Sequence, residues 1–173
     1  KSEELYSQLE ATNQFFVFEE LFRFLSDINE GQKRNEILFM LILAKHLLTT
    51  QKEFFQISPL INQENIEGRL IDLFKFCSDD QVVQKNLSAL IFEFYLIFSQ
   101  RGIFKNFFDF LAEKLNNFEC TNLFEANVIL NIIFQSLSYG ILSCDFIKCN
   151  EMVLSKYFFE QQNQLYYPII LNF

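Results

Sequence analysis

Residues 69–98 read RLIDLFKFCSDDQVVQKNLSALIFEFYLIF. An apolar run is followed by a short polar break at Ser78, Asp79 and Asp80, and then by a longer apolar run that holds one carboxylate, Glu93. The whole chain has four Gly and two Pro in 173 residues. With so few breakers, and with Leu, Phe, Ile, Glu, Gln and Lys abundant, both runs are read as helices rather than as strands joined by frequent turns. Asp79, with Asp80 beside it, is expected to cap the second helix by accepting its orphan backbone N–H groups. Along 85–98 the side chains Leu87, Leu90, Ile91, Phe94, Tyr95, Ile97 and Phe98 cover well over half of the helix circumference, so a single partner helix cannot bury them. Neighbours are needed on both sides.

The same shape recurs. FEELFRFLSD (18–27), RLIDLFKFCSD (69–79) and NFFDFLAEKLN (106–116) are short apolar helices with a carboxylate near the start and a polar exit. Each is followed by a polar connector and a longer apolar helix: NEILFMLILAKHLL (35–48), KNLSALIFEFYLIF (85–98) and FEANVILNIIFQSL (124–137). The later two units lie about 37 residues apart, a spacing typical of two-helix repeats that stack into a solenoid. QKEFFQISPLINQENIEG (51–68) is an insertion expected to form a loop, or a loop flanking a short helix. Gly68, Gly102 and Gly140 each stand just before a short helix, where a residue tolerant of positive φ ends one helix and redirects the chain. Gly31 is out of this phase. The fold class expected is therefore all-α, an α-solenoid of stacked helix pairs with three to four repeats in one domain spanning 1–173. Their approximate extents are 13–50, 66–101, 102–139 and a partial unit at 140–165. Beginning at Lys1 and stopping in YYPIILNF, the chain reads as a segment of a longer protein.

Half of the residues are hydrophobic and 24 are Phe, enough to bury a core and to argue against disorder. A net charge of −8 disfavours nucleic acid and anionic membranes and favours a basic or neutral partner. The longest wholly uncharged apolar run, ILFMLILA at 37–44, is eight residues long, too short to span a bilayer, and is expected in the core. Membrane insertion is not expected. Cys77, Cys120, Cys144 and Cys149 form no tight framework, which suits free thiols in an intracellular protein. With His46 as the only histidine, no metal or cofactor is expected.

The segment GRLIDLFKFCSDDQVVQKNLSAL (68–90) resembles the armadillo repeat: a glycine turn, an apolar helix, an Asp- or Ser-containing break, and a helix bearing Ala and Leu. RGIFKNFFDFLAEKLN is similar to its first half. The likeness spans 66–140 and extends loosely to 18–48, and HEAT repeats are a near neighbour. Members of both families are binding scaffolds, so the resemblance implies a protein-interaction scaffold here, binding a partner protein or an extended peptide. Alternatives are a permanent structural subunit of a larger assembly and a nuclear-import-type adaptor reading basic peptides. The adaptor's groove pairs asparagines with tryptophans, and this chain has no Trp.

Asn127, Asn131 and Gln135 are spaced by four and form a polar stripe on an otherwise apolar helix. In armadillo proteins the matching helix lines the groove, and its amides hold a peptide's main chain. The structural alternative is an ordinary water-facing edge of an amphipathic helix. Unit two offers Asn86 and Glu93 as further candidate partner-binding residues. His46 lacks a nucleophile arrangement, and SLSYG (136–140) lacks the leading glycine and the strand of a nucleophile elbow. No phosphate loop, catalytic carboxylate pair or metal-spaced His and Cys set is present, so an enzyme is not expected.

Overall fold

The computed structural model describes residues 34–57, 63–76, 79–116, 123–142 and 144–150, with single residues at 13, 16, 17, 19, 20, 23 and 154. Most of the short helix expected at 18–27, the loop around Pro59, Gly31, Cys77, Cys120 and most of the partial unit at 140–165 lie outside them. Among the described residues every regular element is helical. The chain forms two compact units, Lys1–Lys105 and Asn106–Phe173, divided just inside the third expected repeat.

The first unit holds α1 (Arg34–Thr50), α2 (Lys52–Ile57), α3 (Gln63–Asp72), a 3-10 segment (Leu73–Phe76) and α4 (Gln81–Ser99). The long helices α1 and α4 pack together along their length. Two contacts give their direction. At the N-terminal ends Arg34 Nε donates to the Asp80 carboxylate, and beyond the C-terminal ends Arg101 Nη1 donates to the Phe55 carbonyl at 3.2 Å. Each contact joins residues 46 apart in sequence, so α1 and α4 run parallel in nearly constant register. The ring of Phe55 meets Phe98 edge-on at 6.3 Å, and Phe98 meets Phe94 at 4.8 Å. All three are fully buried. Arg69 on α3 pairs with Glu19, which is itself helical and belongs to the first expected short helix.

Helix α4 buries Val83, Gln84, Leu87, Ser88, Leu90, Ile91, Phe92, Phe94, Ile97 and Phe98, most of its circumference, as the apolar pattern requires. By length and composition it is apolar enough to cross a bilayer, with mean hydropathy 1.2, yet 56% of that stretch is buried against this chain's own residues. The expected core stretch 37–44 behaves differently. Leu41 and Ala44 are buried, but Phe39, Ile42 and Leu43 are exposed, because α4 covers one side of α1 and the opposite side has no cover among the described residues.

Two local expectations are corrected. The cap of α4 is Asp80, not Asp79: its extended backbone (φ −75°, ψ 112°) lets Oδ1 accept from the Val82 and Val83 N–H groups at 2.8 and 3.0 Å. Its other oxygen holds Arg34, and the Arg34 hydrogen bond, followed by the Val83 N–H, pulls the Asp80 carboxyl down to about 2. The unfolded carboxyl titrates near pH ~4. The folded value is therefore the lower one, and the Asp80 contribution is complete above about pH 4 and is lost as pH falls through about 2. Because Asn also caps helices, Asp80→Asn removes chiefly the charge. The parent chain should be the more stable at neutral pH by denaturant titration, and the gap should close across this acid window.

Gly68 also departs from its expected place. Helix α3 starts at Gln63, so Gly68 lies in its interior. The stripe Ile66, Leu70 and Leu73, buried on one side, carries the helix through the glycine. Gly102 and Gly140 do end their helices in left-handed conformations (φ 76° and 66°), with N–H bonds to the Ser99 and Leu137 carbonyls, both 2.9 Å. Substitution separates the two kinds. A Cβ at Gly68 meets nothing within 4 Å, so Gly68→Ala is expected to stabilise by about 0.5–1 kcal/mol. Gly102→Ala is expected to destabilise by about 1–2 kcal/mol through its backbone conformation. Thermal denaturation should read opposite signs.

The second unit holds α5 (Phe107–Asn116), α6 (Leu123–Ser138) and α7 (Cys144–Cys149). Helices α5 and α6 pack together, joined by Lys114 Nζ donating to Glu125 Oε1 at 2.6 Å in a largely buried setting. Phe108 on α5 meets Phe146 on α7 edge-on at 6.2 Å. Gly102 and Gly140 are separated in sequence by the same interval as Phe108 and Phe146, so the turn and the helix after it recur together. Cys149 is a free, exposed thiol.

Candidate functional site

Helix α6 is apolar almost all round. Ala126, Val128, Ile129, Leu130, Ile132, Ile133 and Phe134 are buried, and so is Ser136, whose hydroxyl donates to the Ile132 carbonyl at 2.8 Å. One narrow edge remains, and it carries Asn127, Asn131 and Gln135, all half-buried. Their i, i+4, i+8 spacing places the three amides in a single row over about two helical turns. Half-burial is neither a core position nor a fully solvated face. A primary amide has two donors and an acceptor with two lone pairs, so one that already engages a neighbour keeps capacity for a ligand's main chain. The row can match the alternating N–H and C=O groups of an extended peptide.

On α4 the less buried edge holds Asn86, Ala89, Glu93, Leu96 and Gln100. Asn86 Nδ2 donates to the Val82 carbonyl of its own helix at 2.8 Å. Glu93 is half-buried two turns further along. Tyr95, two residues on and on a different side of the helix, is partly buried, and that burial pushes its phenol up while a hydrogen bond with Ser99 works in the other direction. When Gly102 is matched to Gly140, Glu93 falls on the position of Asn131 and Ala89 on that of Asn127. The five candidate residues thus divide into two groups by unit, Asn86 and Glu93 in the first and the three amides in the second. Each group shares one helix edge, and Glu93 stands as far before the left-handed Gly102 as Asn131 does before Gly140.

Among the described residues no three His, Cys, Asp or Glu side chains gather in a way that could hold a metal ion. His46 is exposed on α1. Compared with family models, curated proteins and solved structures, the chain matches none. Sequence reasoning did not reach the Lys114–Glu125 pair, the Arg34–Asp80 pair or the exposed row Phe39, Ile42 and Leu43. The ion pairs join residues of different helices, 11 and 46 positions apart. The exposed row sits inside ILFMLILA, which is apolar on every side and gives no signal of which side is covered.

Proposed function

We propose that the chain is a scaffold of the armadillo or HEAT kind, built from stacked helix pairs, that binds a partner protein or extended peptide along the exposed edges of its long helices. The observation that carries this reading is the parallel packing of α1 and α4, pinned at both ends by contacts between residues 46 apart. Like elements lying side by side in the same direction are what a stacked repeat requires. The Arg69–Glu19 pair, which joins the two short-helix segments of the same units, adds support. So does the recurrence of the left-handed glycine turn at Gly102 and Gly140.

On such a scaffold each unit binds along its own long-helix edge, with Asn127, Asn131 and Gln135 holding a ligand backbone in the second unit and Asn86 and Glu93 lining the edge of α4 in the first. The chain's net charge of −8 favours a ligand with basic side chains. Three amide hydrogen bonds at about 1 kcal/mol each correspond to roughly a hundredfold in affinity. Partners captured on the immobilised chain should therefore lose between about tenfold and a hundredfold in affinity when all three are replaced by Ala. Unchanged capture by a variant that melts like the parent contradicts the groove assignment.

A further inference from the structure

Helix α6 nearly repeats itself every four residues. Val128 and Ile132 share one buried row along it, Ile129 and Ile133 a second, Leu130 and Phe134 a third, and the amides fill the fourth. A slide of one turn along the helix axis therefore sets valine in the place of isoleucine, isoleucine in the place of isoleucine, and an amide in the place of an amide. Leucine replaces phenylalanine in the third row, a change of size but not of polarity. The apolar pattern selects which side of α6 is buried. It does not select how far along its axis the helix sits.

One position breaks this near-degeneracy. Glu125 heads the row of Ile129 and Ile133 and is the only buried carboxylate among the described residues. Its partner is anchored on the other helix: the Lys114 ammonium lies 5.7 Å from the centre of the Phe110 ring, one turn back on α5, and donates to Glu125 Oε1 at 2.6 Å. Four residues of slide at ~1.5 Å each, about 6 Å, take the carboxylate out of reach and set Ile129 against a largely shielded ammonium. A buried ion pair adds little net stability over apolar groups of the same size, and its best-attested use is to fix registry. One-turn ratchets of one packed helix past another are also how helical interfaces switch between discrete states.

We infer that the Lys114–Glu125 pair is a register pin, which holds α6 at one of its near-equivalent settings along α5 and so fixes where the amide row is presented. This holds whether or not the amides bind a ligand. Spin labels at the exposed Glu113 on α5 and Ser138 on α6, in the 173-residue chain with its cysteines replaced, read the setting as a pulsed electron paramagnetic resonance distance. The parent chain should give one distance. Moving the carboxylate by one turn, Glu125→Ile with Ile129→Glu, should draw α6 along until position 129 meets Lys114, shortening the distance by about 6 Å. Lys114→Met with Glu125→Leu should show both distances, the shorter in at least about a tenth of the molecules. Lys114→Glu with Glu125→Lys restores a pair at the original place and should return the single parent distance. Circular dichroism matching that of the parent chain shows each variant folded. A pair that only adds stability would move the urea midpoint and leave one unchanged distance in all three variants, and that result overturns the assignment. So does a relocated carboxylate that abolishes folding while the exchanged pair still folds.

Discussion

Replacing Phe98 with Ala is expected to cost about 3–5 kcal/mol of stability, read as a large fall in the denaturant midpoint. The ring is fully buried and stands between Phe94 on its own helix and Phe55 on α2. Truncation removes both contacts and leaves a cavity that α1 and α4, fixed at both ends by Arg34–Asp80 and Arg101–Phe55, close poorly. Helix α2 has only six residues and cannot persist by propensity alone. Its amides should therefore exchange with solvent faster in the variant than those of α4. A cost below about 1 kcal/mol would mean that the Phe55–Phe98–Phe94 cluster is not the core of the first unit.

In the second unit the largest effect is expected at Glu125. Its carboxylate is buried and accepts from Lys114, whose ammonium is itself mostly shielded and lies 5.7 Å from the centre of the Phe110 ring. Glu125→Ala leaves that ammonium without its closest anion and should destabilise the chain by about 3–5 kcal/mol. Replacing both residues with apolar groups of similar size, Lys114→Met with Glu125→Leu, should recover most of the loss, because no buried charge then remains. Urea titrations of the single and double variants give the comparison. A double variant as unstable as Glu125→Ala alone would show that the damage comes from packing and not from the stranded charge.

The helical character and the positions of the long helices were legible in the sequence because they rest on local signals. The near absence of Gly and Pro and the wide apolar faces at 35–48, 85–98 and 124–137 each fall within α1, α4 and α6. Left-handed turns at Gly102 and Gly140 were legible for the same reason. Gly68 was misplaced because the same residue type can end a helix or be tolerated inside one. The buried stripe Ile66, Leu70 and Leu73 decides between them, and it needs the packed neighbour to take effect. Asp79 and Asp80 are indistinguishable by type, and only the backbone angles at Asp80 and its contact with Arg34 select it.

The candidate site divides in the same way. The amide row at Asn127, Asn131 and Gln135 follows from spacing alone, and its half-burial needed the fold. That Glu93 and Asn131 stand at the same interval before a left-handed glycine needed the two turns to be seen. The exposed side of α1 was illegible, since nothing in ILFMLILA separates the residues that meet α4 from those that do not.

Pulsed electron paramagnetic resonance distances among spin labels at Asn35, Thr50, Gln81 and Gln100 test the parallel packing of like helices, on which the stacked-repeat account rests, most directly. These residues are exposed at or next to the two ends of α1 and α4, and the labels would be placed on a cysteine-free background. Parallel stacking at roughly 10 Å per helix predicts two similar short distances, Asn35 to Gln81 and Thr50 to Gln100, with Asn35 to Gln100 and Thr50 to Gln81 close to a helix length. Short distances for the crossed pairs and long ones for the like ends would mean an antiparallel hairpin and contradict the account.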